Sequence, residues 1–462
     1  MSIRTGPSAR QCNKITLSGG TERTILTVTR LPLAALALAL LAGCAYPYSP
    51  PSLPPVASSS PAISVASSAA PAEARAPVTI LVSIDGFRAD YLTRGPSPHL
   101  SHLAAEGVTA AMRPSFPSKT FPNHWTLVTG VVPDRHGIVA NSFTDPAHPG
   151  ERFTMASDQP YWWDEAEPVW ATAERAGIRT ATVLWPGSNV AWGGTLQPGG
   201  HHAVTGGVRP HDWLQFNANI SDRQRVDTVI DWLRRPGPTR PRFLTLYFDE
   251  VDIAGHDGGP DSAEVNAAIA HVDQAIGALV SGLAELGQTA NLVIVSDHGM
   301  AATSSERVIA LDQMVNPVDY EMSENGPFAM IRAVPGHEAA LEARLLGHHD
   351  HMDCWRRNEI PVRFRYGRNP RIAPYFCLAE AGWLIDAKPA EKPFTGGAHG
   401  YDNADPSMTA LFIAQGPAFR PGAKLAPFDN VDVAPLLRDL IGLPPGRGLD
   451  GTDASFRRVL RR

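Results

Sequence analysis

VTILVSID, residues 78–85, is a run of seven strand-forming residues closed by a carboxylate. Val78, Ile80, Val82 and Ile84 share one face of an extended chain, and Leu81 with two small hydroxyl residues fills the other. A strand that suits burial on both faces belongs in a parallel sheet covered by helices on each side. Outward along the chain the pattern recurs in RTATVLW (179–185), RFLTLYF (242–248), NLVIVS (291–296) and TALFIAQG (409–416). Between these runs lie helical patterns. The clearest is EVNAAIAHVDQAIGALVSGLAEL, where Val265, Ile269, Val272, Ile276, Leu279 and Leu283 recur at three- and four-residue spacing before Gly287 as a C-terminal stop. RQRVDTVIDWLRR and VDVAPLLRDLIG are shorter amphipathic segments. Strands alternating with helices predict an α/β fold with a doubly wound, mainly parallel sheet. Residues 312–395 break the rhythm with many Pro and Arg, and read as an inserted cap rather than a second independent domain.

In such sheets the functional crevice lies beyond the carboxyl ends of the strands. Metal-ligand side chains stand at those ends. Asp85 closes the first run, Asp252 and His256 sit in YFDEVDIAGHDGGP, Asp297 and His298 follow NLVIVS, and His399 lies in GGAHGYDN. Oxygen and nitrogen donors without cysteine suit zinc or a similar divalent ion, and six of them suffice for two ions. Asp252 and His256 are four residues apart, so one helical turn or a tight loop can aim both at one ion. Asp297 and His298 are adjacent and point apart on a regular strand, so the chain must turn there, for which Gly299 speaks. Thr120, in PSFPSKTFPNHWTLVTG between Pro117 and Pro122, offers a hydroxyl that a dication can activate as a nucleophile. The plainer role for Thr120 is an N-cap hydroxyl for the helix that WTLVTG begins.

Composition narrows the alternatives. With 462 residues the chain buries a large core, and a net charge of −6 gives no basic surface for long nucleic acid, while a small anionic substrate remains open to a metal site. Residues 1–44 read as an export signal: LPLAALALALLAGC follows Arg23 and Arg30, is short for a membrane span, and ends in Leu41-Ala42-Gly43-Cys44. That ending resembles a bacterial lipobox, which implies cleavage before Cys44 and lipid anchoring to the cell envelope. The other reading is an ordinary cleaved signal peptide. Residues 45–77, rich in Pro, Ser and Ala, cannot form a core and read as a tether to a catalytic domain at 78–462. Downstream only Cys354 and Cys377 remain; in an oxidising compartment they can pair, and otherwise they are two buried thiols.

PSFPSKTFPNHWTLVTGVVPDRHGIVANSF, EVDIAGHDGGP, VSDHGM and GAHGYDN resemble, in the same order, the signature segments of the nucleotide pyrophosphatase/phosphodiesterase family of the alkaline phosphatase superfamily. WPGS (185–188) and RYGRNPRIAPYFCLAEAGW extend the likeness, which runs from about residue 78 to 452. The resemblance implies an alkaline phosphatase-like three-layer α/β/α sandwich with an inserted cap. It implies two Zn2+ ions, one on Asp85, Thr120, Asp297 and His298 and the other on Asp252, His256 and His399. It further implies that Thr120 forms a covalent nucleotidyl intermediate and that nucleoside 5′-monophosphate is released. Asn141 matches the side chain that hydrogen-bonds a phosphoryl oxygen, an amide aimed at developing charge; its alternative is a turn-forming Asn. Phe121 and Phe216 match rings that sandwich a nucleobase, and Tyr247 matches a further aromatic near the site; the alternative for all three is core packing.

Other members of that superfamily are the competing enzymes. A sulfatase needs a Cys or Ser in a Cys/Ser-x-Pro-x-Arg context, which SKTFPN lacks. Phosphomonoesterases add basic groups around the phosphoryl oxygens, and Lys119 precedes the nucleophile. A phospholipid-headgroup- or phosphonate-cleaving hydrolase differs only in pocket shape. A non-catalytic surface lipoprotein would be marked by a lost ligand or nucleophile, and every expected position is filled.

Overall fold

The computed structural model describes residues 75–198, 203–217 and 219–461. The signal segment, Cys44 and the tether up to residue 74 lie outside the described residues. Seven strands carry the central sheet: β1 (Val78–Ile84), β2 (Val108–Arg113), β3 (Thr180–Val183), β4 (Asp212–Leu214), β5 (Phe243–Phe248), β6 (Ala290–Val295) and β7 (Ala410–Gln415). Their order is β2-β7-β6-β1-β5-β3-β4, with two short edge pieces on β2. β6, β1, β5, β3 and β4 run parallel, whereas β7 is antiparallel to both of its neighbours. The apolar run at 409–416 had given no sign of that reversal, because strand direction depends on where the connecting chain re-enters.

Every residue of β1 is buried, as its two-faced pattern requires. Leu81, Phe243, Val293 and Val295 enter one core, and Ile80, Val82, Leu244, Leu246 and Ile294 enter the other. The second core is closed by helices α1 (Pro98–Glu106), α3 (Asp222–Arg234) and α5 (Ala263–Glu285). The first is closed by α2 (Thr120–Thr129) with the helices Val169–Arg175 and Val433–Leu440. Three layers result. α5 is long and apolar enough to cross a membrane by length and composition, but Val265, Ile269, Val272, Ile276 and Leu279 bury its apolar stripe in the core. Its stop is also as read: Gly287 follows the C-cap with φ +60°, a conformation that favours glycine.

The segment that broke the rhythm forms a five-stranded antiparallel sheet in the order Tyr320–Glu324, Phe328–Ala333, Tyr375–Ala379, Met352–Arg356, Gly347–His349. Alternate residues divide its two faces. Phe328, Met330, Phe376 and Leu378 join the core of α2, while Ala329, Ile331, Cys354 and Cys377 form a smaller core with Leu341 and Leu345. One face of this sheet therefore packs on the main core. Cys354 and Cys377 are directly paired across neighbouring strands, 4.1 Å apart at Cα, and form a disulfide.

Candidate active site

The sheet order places β6, β1 and β5 side by side and parallel, so their carboxyl ends meet. Asp85 follows β1, Asp297 and His298 follow β6, and β5 runs into helix α4 (Glu250–Gly258), which carries Asp252 and His256 on one turn. His399 comes from a strand, Thr395–Ala398, that pairs antiparallel with Ala301–Ser304 just beyond His298. Close approach is bought with glycine. A Cβ on Gly86 (φ +68°) would stand 2.9 Å from Asp252 Cα, and one on Gly397 would stand 2.4 Å from the Gly255 carbonyl. Gly299 acts differently from the expected turn: its φ is not left-handed, and a Cβ there would strike the Ser407 carbonyl at 2.1 Å.

The seven sequence-derived ligand positions come together. His298 Nε2 is 2.9 Å from Asp297 Oδ2, 3.4 Å from Asp85 Oδ1 and 3.3 Å from Thr120 Oγ1. Asp252 lies 3.5 Å from His256 Nε2 and 3.7 Å from His399 Nε2. The His298 and His399 rings stack at 3.5 Å, so the two groups adjoin. Each histidine donates Nδ1–H to a main-chain carbonyl: His298 to Gly299, His256 to Gly397 and His399 to Ser118, at 2.9, 2.8 and 2.8 Å. That fixes the tautomer and leaves each Nε2 lone pair facing the carboxylates, the arrangement of a metal-ligating imidazole.

The charge balance also calls for cations. Asp85 Oδ1, Asp252 Oδ1 and Asp297 Oδ2 are buried without a hydrogen-bond partner. Burial first, then the Asp297 and Asp252 charges, push the Asp85 carboxyl well up; burial and then Asp252 push Asp297 up. Burial also holds the His399 imidazole well below its ordinary value. Carboxylates brought together in a low-dielectric pocket are stabilised by metal coordination. The donor set therefore fits two divalent ions, on Asp85, Thr120, Asp297 and His298 and on Asp252, His256 and His399.

Thr120 is the first residue of α2, and Lys119 takes the N-cap position without a side-chain cap bond. The N-cap role is thereby excluded for Thr120, whose hydroxyl turns to His298. Asn123 holds the preceding loop: its Oδ1 accepts from Ser115 N–H, and its Nδ2 donates to the Pro117 and Lys119 carbonyls. Asn141 Oδ1 accepts the Phe121 N–H at 2.9 Å, which leaves the Asn141 NH2 group available beside the hydroxyl's helix. That bond ties Asn141 to the helix N-terminus and explains its place better than a local turn does.

The aromatics are arranged otherwise than a ready-made base sandwich. Phe121 is buried, and its ring meets Phe216 edge-to-face at 5.2 Å, too close for a base to lie between them without Phe216 moving. Tyr247 is buried as well, and its hydroxyl donates to Asp85 Oδ2 at 2.6 Å, so it orients a ligand. His124 escaped the sequence reading. It lies one turn after Thr120, donates Nδ1–H to the Thr120 carbonyl, accepts from Ser83 Oγ, and is pushed down by burial to about 3. The signal was its four-residue spacing from Thr120 on one helix face.

A three-layer α/β/α sandwich with this paired donor set at its strand ends defines a metallo-hydrolase. Residues 79–402 match the Type I phosphodiesterase / nucleotide pyrophosphatase family, and the chain belongs to that family, within the alkaline phosphatase superfamily. It is 38% identical to the bis(5′-adenosyl)-triphosphatase of Xenopus laevis, over 84% of this chain and 83% of that protein. It is 39% identical to an uncharacterised pyrophosphatase/phosphodiesterase of Schizosaccharomyces pombe, over 79% of this chain and 77% of that one. Among solved structures, murine ectonucleotide pyrophosphatase/phosphodiesterase 5, an inactive form in complex with AMP, superposes with a TM-score of 0.76 at 33% identity, covering 84% of this chain and all of that one. The fold is alkaline phosphatase-like, and the enzyme class is nucleotide pyrophosphatase/phosphodiesterase.

Proposed function

We propose that the chain is an exported hydrolase that cleaves nucleotide phosphodiester and pyrophosphate bonds through a covalent threonine intermediate, releasing nucleoside 5′-monophosphate. The observation that carries this reading is the Thr120 hydroxyl, 3.3 Å from His298 Nε2 at the start of a helix, beside three carboxylates that each keep one buried oxygen without a hydrogen-bond partner. Two Zn2+ ions on the seven donors would lower the pKa of that hydroxyl and balance charge on the phosphoryl oxygens. Thr120 Oγ1 then attacks phosphorus, the leaving alcohol or phosphate departs from the opposite side, and water later cleaves the threonyl ester. Asn141 Nδ2 donates to a non-bridging oxygen as negative charge builds there. The positive end of the α2 dipole favours the anion at the same place.

Two tests bear on this reading. Thr120→Ala is expected to keep its metal content and lose nearly all turnover of a nitrophenyl nucleotide diester; retained turnover would mean direct attack by water. Rates on a nucleotide diester, a dinucleoside polyphosphate, a phosphomonoester and a choline phosphodiester, compared side by side, separate the nucleotide reading from its superfamily relatives. Lipid anchoring at Cys44 is proposed from the lipobox-like sequence, and Cys44→Ser is expected to release the protein from membranes. Unchanged membrane association in that variant would remove the anchor from the account.

A further inference from the structure

A second kind of donor cluster lies where three helices begin or pass: Asp222 at the start of α3, Glu250 at the start of α4 and His271 on α5. One donor atom from each falls within 4.8 Å of the others. His271 Nε2 is 4.0 Å from Asp222 Oδ2 and 3.9 Å from Glu250 Oε1. Ligand bonds of about 2.1 Å place donors roughly 3 to 4 Å apart around one ion, so these side chains need little movement to share one. The spacing resembles the 3.5 and 3.7 Å between Asp252 and its two histidines.

Asp222 supplies the independent mark. Its side chain is 2% exposed, and neither oxygen has a hydrogen-bond partner. Arg225 approaches to 3.5 Å, but its Nη1 already donates to the Tyr247 carbonyl at 3.0 Å and to Asp249 Oδ1 at 2.8 Å, and its Nε donates to the Ile220 carbonyl. One guanidinium thus faces Asp222 and Asp249, with Glu250 adjoining, and the acids outnumber it. Burial first, and then Glu250, push Asp222 up to about 6. His271 is 63% exposed and Glu250 36%, so an ion can reach the site from solvent.

We infer that Asp222, Glu250 and His271 form a third divalent-cation site, distinct from the seven donors of the candidate active site. Two carboxylates and an imidazole suit Mn2+ or Zn2+, with water completing the coordination. The ion fastens the start of α4 to α3 and α5, and α4 carries Asp252 two residues later.

The test titrates full-length protein, loaded with only two equivalents of zinc, with Mn2+, reading free Mn2+ by electron paramagnetic resonance and bound zinc by elemental analysis. One further equivalent is expected to bind without zinc release and to raise the melting temperature, because it binds only the folded chain. Asp222→Asn and His271→Ala are each expected to weaken uptake by roughly tenfold or more. If Asp222→Asn misfolds, His271→Ala decides, since that side chain is exposed. No uptake, uptake undiminished in His271→Ala, or uptake matched by zinc release would each overturn the inference. The difference between the parent and His271→Ala stays readable whatever the catalytic donors hold, so this site and the catalytic reading fail separately.

Discussion

At the scale of single residues, function turns on where hydrogen bonds are spent. The Asn141 amide oxygen accepts the Phe121 N–H, which turns its NH2 group away from that bond, and under the proposed mechanism that group meets a phosphoryl oxygen. Asn141→Ala is expected to lower diester kcat by about 10²–10³ while leaving metal content unchanged, as loss of one donor to a transition-state oxyanion does elsewhere. A neutral result in steady-state kinetics would reject the role. The three histidines follow the same logic: Nδ1 is spent on a carbonyl, so Nε2 is left for coordination. Residue types at the strand ends were enough to nominate six ligands and the Thr120 hydroxyl, whereas Asn141 came with the family resemblance. They did not assign the work of His124, which bridges the Thr120 carbonyl and Ser83, or of Tyr247, which donates to Asp85; the Ser83 and Asp85 contacts reach across 41 and 162 positions of sequence.

At the scale of elements, the site depends on how closely α4 lies against the strand that delivers His399. Gly396 and Gly397 permit that approach: a Cβ on either would meet the carbonyl of His256 or Gly255 at 2.4 Å. Gly397→Ala is expected to destabilise the fold by about 1–3 kcal/mol through overpacking. It should also reduce occupancy of the ion on Asp252, His256 and His399. Thermal melting with elemental analysis checks both, and a variant with parental melting temperature and full metal content would contradict the packing argument. Strand and helix existence was legible here, because β1 is buried along its whole length and α5 keeps a strict apolar stripe. The antiparallel direction of β7 and the five-stranded sheet within 312–395 were not. Short apolar runs carry no information about direction, and alternation that serves two cores does not look like a one-sided strand.

At the scale of the whole molecule, bound ions and folding stability are linked. Without ions, Asp85 and Asp297 have folded-state pKa values raised by burial and by neighbouring carboxylates. A carboxyl raised on folding contributes stability that is fully present below its unfolded pKa of about 4 and is lost as pH rises through the folded value. Chelator-treated protein is therefore expected to melt at progressively lower temperature from about pH 7 to about pH 8, above the range in which the buried His124, His136 and His399 imidazoles contribute the opposite slope. Metal-loaded protein should lack this fall, because coordination stabilises the ionised form. Parallel melting curves for the two forms across that window would contradict the account.

By itself the sequence determined the chemistry on offer: buried two-faced strands, carboxylates and imidazoles at their ends, a hydroxyl beside them, and motifs long enough to mark a family. Those signals are local, set by side-chain pattern over a few residues. The tertiary structure alone decided which neighbours each group received. It set the order β6-β1-β5 that gathers the ligands and the edge-to-face contact that closes Phe121 on Phe216. It also brought together the Asp222, Glu250 and His271 donors, from three separate helices. Those outcomes depend on chain path and packing between segments far apart in sequence, which no local pattern encodes.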